Sequence, residues 1–450
     1  MRRILFAALR HPLAVFGLGL TTASALLFLM LFALDVLGLI TNHYVGLVSY
    51  AALPALFVVG LLAIAVGVRR SRSGPHPEWP RIDLNQPLQR RVLWVLAVAT
   101  LGNVVILSMG TYGGVQYMET DAFCGQVCHT VMQPQFTAHL RGPHARIECV
   151  ACHIGPGAAS FIGAKVSGSR RLLSVATGRY HRPIRQPRGQ GAATRETCER
   201  CHWDGLPHGD QPTVIREYAS DEVNSERVTP LRLHVGGGGE RLGDTFGSHW
   251  HADPANQVEY VAIDPLAAEI PYVRVTTADG TVREYRVDGV DPDSLTGGVR
   301  RRMDCLDCHN RSAHAFAATP ERAVDEALGR GAISRELPFV RREALRLLTE
   351  EFDSAEQARE EIATSMTRFY QREYATLATT RRDDVAGAVD AIQALSDRTR
   401  FSEMGVGWGT YPNHLGHTDS PGCFRCHDEL HVAEDGSTIS QDCELCHGFE

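Results

Sequence analysis

Three long apolar runs, followed by twelve cysteines in six pairs with a histidine directly after each pair, predict an α-helical membrane anchor joined to a loop-rich multihaem cytochrome c domain. The anchor is expected to hold three transmembrane helices, and the haem domain to carry a small β insertion and a helical segment. C-x-x-C-H is the covalent attachment site of c-type haem, because each thiol adds to one vinyl group and the histidine reaches the iron. The triplets are Cys124/Cys128/His129, Cys149/Cys152/His153, Cys198/Cys201/His202, Cys305/Cys308/His309, Cys423/Cys426/His427 and Cys443/Cys446/His447. Five have the usual spacing. The first, Cys124-Gly-Gln-Val-Cys128-His129, has one residue more. Structural zinc needs four ligands and does not require a histidine after every second cysteine. A disulfide framework accounts for even parity but not for the histidines. No cysteine is left over, so the first motif counts as a haem site and six haem c groups are expected. Attachment of this kind is extracytoplasmic in bacteria, which places the cysteines in the periplasm or its equivalent.

The apolar runs cover residues 13–40, 44–68 and 92–109. Each is close to the ~20 residues that cross a bilayer as helix. Ala23-Ser24-Ala25 resembles a processing site, but the apolar run continues well beyond it, which suits an uncleaved anchor better. Arg2, Arg3 and Arg10 precede the first run, and Arg69, Arg70, Arg72, Arg81, Arg90 and Arg91 crowd the loop between the second and third. The Thr41-Asn42-His43 turn has no Lys or Arg. By the positive-inside rule both basic segments are cytoplasmic, and three crossings put the chain after about Met109 outside. A multi-pass protein of the bacterial inner (cytoplasmic) membrane is expected, with its haem domain on the periplasmic face. Asp35 is the one charged residue of the first run. An intramembrane acid is a proton-handling candidate, though its place near the outer end of the helix, close to water and headgroups, accounts for it as well. The formal net charge of -7 gives no reason to expect nucleic acid as a partner.

Motif positions and composition divide the chain into an anchor at 1–110, a three-haem domain at 111–205, a β-rich insertion at 206–300, a fourth-haem segment at 301–318, a helical segment at 319–400 and a two-haem segment at 401–450. The Gly-, Arg- and Pro-rich stretch between the second motif and residue 191 reads as loop with one short helix. Val258–Ile263, Tyr272–Thr277 and Thr281–Val287 read as strands, the last two joined by Ala278-Asp279-Gly280, a hairpin signal. The Gly236–Gly239 run has no Lys-Ser/Thr after it, so a flexible turn is expected rather than a phosphate loop. Ser354 with Gln357 predicts a capping box. Ile362, Met366 and Phe369, and then Val385, Val389 and Ile392, repeat at helical spacing and predict packing faces.

A six-coordinate haem needs a second axial ligand, usually His or Met in electron carriers. Eleven non-motif histidines lie beyond the last run, at positions 139, 144, 181, 208, 234, 249, 251, 314, 414, 417 and 431. His144, His314, His414 and His417 lie within ten residues of a motif and are favoured, with one of His249 and His251, of which His251 is taken. His181, His208 and His234 are expected at the surface. Every motif keeps its histidine, so nothing advertises the open iron position that a substrate-reducing haem needs.

From Phe123 to about His202 the chain resembles the NapC/NirT/NrfH family of membrane-anchored multihaem quinol dehydrogenases. The shared features are an apolar helix leading into the first motif, Met132 just after it, His144 ahead of Cys149 and a lysine downstream at Lys165. The resemblance implies that a haem beside the membrane takes electrons from the quinone pool, with quinol as substrate, and passes them to a periplasmic cytochrome or reductase. It implies Met132 as axial ligand of the first haem, and Lys165 as a pocket residue that works with a carboxylate. Glu119, Asp121 and Glu148 are the candidate carboxylates. The chain departs from the family in having three spans and six motifs rather than one and four, and in the spacing Cys128-His129-x-x-Met132. Lys165 also stands out without the family, as the only lysine among 45 basic residues. Arginine bias with one surviving lysine accounts for that. So does a site where a compact ammonium cannot be replaced by guanidinium. Two other classes stay open: a terminal reductase of a small nitrogen or sulfur oxyanion, which predicts a high-spin haem, and a haem-rich anchor subunit without its own quinone site. Homo- or hetero-oligomeric association is equally open.

Overall fold

The computed structural model describes residues 11–37, 39, 45–46, 48–71, 84–127, 129–154, 158–185, 195–202, 209–236, 247–290, 295 and 297–449. Cys128, His208, Arg2, Arg3, Arg10, Arg72, Arg81, the turn at 41–43 and the glycines at 237–239 lie outside these residues, as does the side chain of His129. The chain divides into two compact units, Met1–His129 and Thr130–Glu450.

The first unit is built on α1 (Pro12–Val36), α2 (Leu53–Ser71) and α3 (Pro87–Glu119), with a π-helical turn at Val48–Ala52 leading into α2. Among the described residues the segments Pro12–Asp35, Val48–Arg70 and Ala97–Glu119 are long and apolar enough to cross a membrane. The third helix thus runs on past residue 109, because Tyr112, Val115, Tyr117 and Met118 keep it apolar after the run of aliphatic residues ends. Small residues let α1 and α2 approach closely: a Cβ at Gly17 would stand 2.6 Å from the Gly60 carbonyl, and one at Gly60 2.4 Å from Thr21 Oγ1. Such contacts hold helices together in lipid, where apolar burial gives no driving force. Phe28 and Phe57 are each 2% exposed in this packing. Asp35 accepts a hydrogen bond from the Tyr50 hydroxyl in the π turn, so the acid of the first span has a partner in its own unit. Arg69 and Arg70 occupy the last turn of α2.

The second unit begins with α4 (His129–His139), whose first residue closes the anchor unit, and continues through α5 (Cys149–His153), α6 (Ala158–Ala176) and α7 (Arg195–Glu199). Helix α6 is longer than the short helix expected there: its 19 residues hold two glycines but no proline. The β strands are β1 (Gln211–Tyr218), β2 (Glu226–Leu233), β3 (Gln257–Ala262), β4 (Tyr272–Thr276), β5 (Val282–Val287), β6 (Val299–Arg302), β7 (His431–Ala433) and β8 (His447–Phe449). They form two antiparallel sheets, ordered β1-β2-β8 and β6-β3-β4-β5-β7. The predicted β4–β5 hairpin is present. Gly280 takes the left-handed φ of +83° that its turn requires, and Thr277 donates to Asp279 Oδ1 at 2.6 Å.

Both sheets recruit strands from outside the 206–300 segment. β6 leads into the fourth motif, β7 follows the fifth, and β8 contains the histidine of the sixth, with Leu233 opposite His447 and Val287 opposite His431. The two sheets therefore fasten the last three motifs to one scaffold. Short helices bearing the motifs and longer ones from α9 onward fill the rest: α8 (Cys305–Cys308), α9 (Pro320–Gly329), α10 (Val340–Thr349), α11 (Ala355–Glu373), α12 (Ala375–Thr380) and α13 (Arg382–Asp397). Ile362, Met366 and Ile392 are fully buried here, beside Val324, Leu337, Leu347 and Tyr370, and Phe369 packs at the edge. Ser354 Oγ accepts from the Gln357 amide at 3.1 Å, while the Gln357 side chain caps the Asp353 amide rather than that of Ser354.

Candidate functional site

Five of the six cysteine motifs are described in full, and each folds as a single tight turn. In the third, fourth and fifth motifs the histidine amide donates to the carbonyl of the first cysteine, at 2.8 Å from His202 to Cys198, 2.8 Å from His309 to Cys305 and 3.0 Å from His427 to Cys423. One helical turn puts residues three apart on one side, so the two thiols of each pair share a face. Asp304 and Asp307 lock the fourth turn reciprocally: Asp304 Oδ1 accepts from the Leu306 amide at 2.8 Å, and the Asp304 amide donates to Asp307 Oδ2 at 2.7 Å. The first motif starts differently, in a π-helical turn at Phe123–Val127. A π turn holds more residues than an α turn, and it falls where the sequence has the extra residue.

In the second unit, the second to sixth motifs are neighbours in sequence order. Helix α7 packs against both α5 and α8. The Cys198 and Cys305 thiols lie within hydrogen-bond reach of each other, which brings the third and fourth motifs together. Cys152 lies near Cys201, Cys308 near Cys423, and Cys446 near Cys423. Burial pushes Cys308 and Cys426 up to about 12. The fourth and fifth turns are also clamped directly. Arg425, 9% exposed, donates to the carbonyls of Gly422 at 2.7 Å, Ala267 at 2.8 Å and Asp307 at 2.8 Å.

Each of five motif histidines faces a second imidazole. Ring centres are 6.2 Å apart for His153 and His314, 5.8 Å for His202 and His144, 6.2 Å for His309 and His249, 5.9 Å for His427 and His251, and 6.2 Å for His447 and His417. A metal ion held between two imidazole nitrogens at the usual ~2 Å from each requires ring centres about 6 Å apart. Metal-binding histidines also commonly donate their remaining ring N–H to a carbonyl. Here His144 Nδ1 donates to the Ser312 carbonyl at 3.0 Å, His251 to Ser248 at 3.0 Å, His314 to Gln135 at 3.0 Å and His427 to Ser440 at 2.8 Å. Burial pushes the His314 imidazole down to about 4, which keeps it neutral, the form that binds metal. The residues present fit bis-histidine c-type haem.

The other candidates are placed as follows. His414 is 4% exposed, and its amide donates to Asn310 Oδ1 at 3.0 Å. Met132 lies half-buried on α4. His181 is exposed and His234 pairs with Asp210 at 2.9 Å. His431 is 1% exposed and uses both ring nitrogens, toward Asp428 and the Ile270 carbonyl. His139 was not singled out from the sequence. It is 4% exposed, its Nδ1 donates to the Ala313 carbonyl at 3.1 Å, its buried Nε2 has no hydrogen-bond partner among the described residues, and its ring lies 6.0 Å from that of His314. His249 was named only as an alternative to His251. The signal available for it was the His-x-His spacing, which on a turn of three residues sends two side chains in different directions. Glu119 ends α3 and Asp121 follows it in the anchor unit, Glu148 is the residue just ahead of α5, and Lys165 lies half-buried on α6 with its carbonyl accepting from Ser169 Oγ at 2.9 Å.

Three apolar helices ahead of paired-cysteine turns and facing imidazoles describe a membrane-anchored multihaem cytochrome, and the chain belongs to the NapC/NirT cytochrome c family, whose N-terminal region matches residues 86–205. Over nearly its whole length the chain is also similar to the cytochrome c-type protein ImcH of Geobacter sulfurreducens, 35% identical over 447 residues that cover 97% of this chain and 87% of the relative. No solved structure matches it.

Proposed function

We propose that the protein oxidises membrane quinol at the outer face of the cytoplasmic membrane and delivers the electrons to a periplasmic cytochrome or reductase. The reaction converts quinol to quinone, two protons and two electrons. Six haem c groups, bound at the six cysteine motifs, supply one-electron redox chemistry between the quinol side and the acceptor side. The observation that carries the reading is the place of Lys165. It lies on α6 beside the face formed by Ile162, Val166 and Leu173, which are 61%, 51% and 65% exposed. Residues spaced this way share one side of a helix, and an amphipathic helix with such a face suits the plane of a membrane surface, where quinol headgroups lie.

In this reading the Lys165 ammonium hydrogen-bonds a quinone oxygen and steadies the charge that forms as the hydroxyl proton departs. A carboxylate accepts that proton and passes it to the periplasm, Glu119, Asp121 and Glu148 being the candidates. Met132 would be the further ligand that helps hold the first haem. His144, His251, His314 and His417, each facing a motif histidine, would help hold the third, fifth, second and sixth haems. The contacts among the second to sixth motifs support a path through them in the order of the sequence that leaves by the C-terminal pair. Facing imidazoles at five motifs also favour electron transfer over a terminal reductase, which needs an open iron. Lys165→Met in fully haem-loaded protein is expected to lower the quinol oxidation rate at least tenfold while dithionite still reduces every haem. Unchanged turnover would remove Lys165 from the mechanism.

A further inference from the structure

Between β2 and β3 lies a 3₁₀ turn, Ser248–Ala252, that carries His249 and His251. Their rings point to different motifs, His249 to His309 at 6.2 Å and His251 to His427 at 5.9 Å. We propose that this one turn supplies the sixth ligands of two haems, the fourth and the fifth, and so fixes them as a coupled pair. The inference rests on the haem reading above and adds to it a ligand, His249, and a shared support.

The local geometry accounts for the double role. A 3₁₀ helix has three residues per turn, so residues two apart project about a third of a turn from each other rather than to opposite sides. The turn is held from behind by its backbone. The Ser248 amide donates to the His234 carbonyl and the His249 amide to that of Val235, both at 2.9 Å, and His234 in turn donates to the Cys446 carbonyl of the sixth motif at 2.8 Å. Gly247, at φ +70°, permits this approach: a Cβ there would stand 2.4 Å from the His234 oxygen. In front, the His251 Nδ1 bond to Ser248 sets its ring, and Trp250 packs between the turn and the sheet core of Val258, Tyr260 and Val273. The opposite ligands are joined as well, since Arg425 of the fifth motif donates to the Asp307 carbonyl of the fourth. Two haems held by clamped attachment turns on one side and one ligand turn on the other cannot shift independently.

The test uses the full-length, detergent-purified holoprotein, with haem counted by pyridine haemochrome and attachment sites read by mass spectrometry. His249→Ala and His251→Ala should each retain six haems and convert one-sixth of the low-spin electron paramagnetic resonance intensity to high spin. Different low-spin signals should be lost in the two variants, and added imidazole should restore each. Gly247→Ala should perturb both signals at once. If an alanine variant fails to load, His249→Met keeps a ligand and should load six haems with one midpoint potential raised. Six haems with unaltered low-spin spectra and potentials in either single variant would overturn the proposal while leaving the six-haem reading intact. Wild-type protein lacking haem at Cys305/Cys308 or Cys423/Cys426 would overturn both.

Discussion

Tyr260 and Arg425 illustrate how single side chains hold the motif turns in place. The Tyr260 hydroxyl, on a residue 1% exposed, donates to Asp307 Oδ1 inside the fourth motif. Tyr260→Phe keeps the ring and its packing but leaves a buried carboxylate short of a donor, a loss of about 1–3 kcal/mol. Guanidinium titration followed by Soret circular dichroism should show that loss, with haem content unchanged. Arg425→Met removes three donors at once from buried carbonyls. It should cost about 3 kcal/mol or more and broaden the spectra of the fourth and fifth haems together, whereas Arg359→Ala, in an exposed pair with Asp397, should cost under about 1 kcal/mol. The same denaturation assay separates the two. None of these roles is visible in the sequence, where Arg425 is one of 44 arginines and fills a variable place inside a motif. The cysteines and motif histidines are legible because their chemistry fixes their spacing. Which motif each facing histidine serves is not, because His314 meets His153 across 161 residues of chain.

Secondary-structure elements divide the same way. The stripes at Ile362 and Met366 and at Val385, Val389 and Ile392 are readable because a helix repeats its buried face every three or four residues, and all five are buried. Strands β3 to β5 are readable from their β-branched and aromatic content. Strands β7 and β8, three residues each, carry no alternation to detect and take their register from β5 and β2. The 3₁₀ turn at Ser248–Ala252 follows a long run of glycine and charge that points to loop. At this scale the link between the insertion and the helical segment is also testable. Asn224, 1% exposed and at φ +49°, donates to the Arg335 and Leu337 carbonyls and accepts from the Arg341 amide, while Arg341 pairs with the buried Asp325 at 2.6 Å. Asp325→Ala leaves that guanidinium buried without its carboxylate and should destabilise the second unit by about 3–5 kcal/mol, seen as an earlier unfolding midpoint with the haem count unchanged.

For the whole molecule, two units divide the work: an apolar three-helix anchor, and a second unit in which two sheets and a helical core hold consecutive cysteine motifs against one another. The anchor and the cofactor class were legible because bilayer thickness and thioether chemistry constrain sequence strongly. The order of the motifs in space was not, since nothing in a one-dimensional spacing says that Cys198 meets Cys305 or that Cys308 meets Cys423. The second unit sets the second to sixth motifs side by side in the order of the sequence. The central claim is that quinol is the electron donor. Its most direct test is to mix the purified, fully haem-loaded protein with a reduced, water-soluble quinol analogue and to follow the optical spectrum in time. The account predicts reduction of low-spin haem by the analogue, slowed by a quinone-site inhibitor and by Lys165→Met. Haems that stay oxidised in excess quinol, yet reduce fully with dithionite, would contradict it.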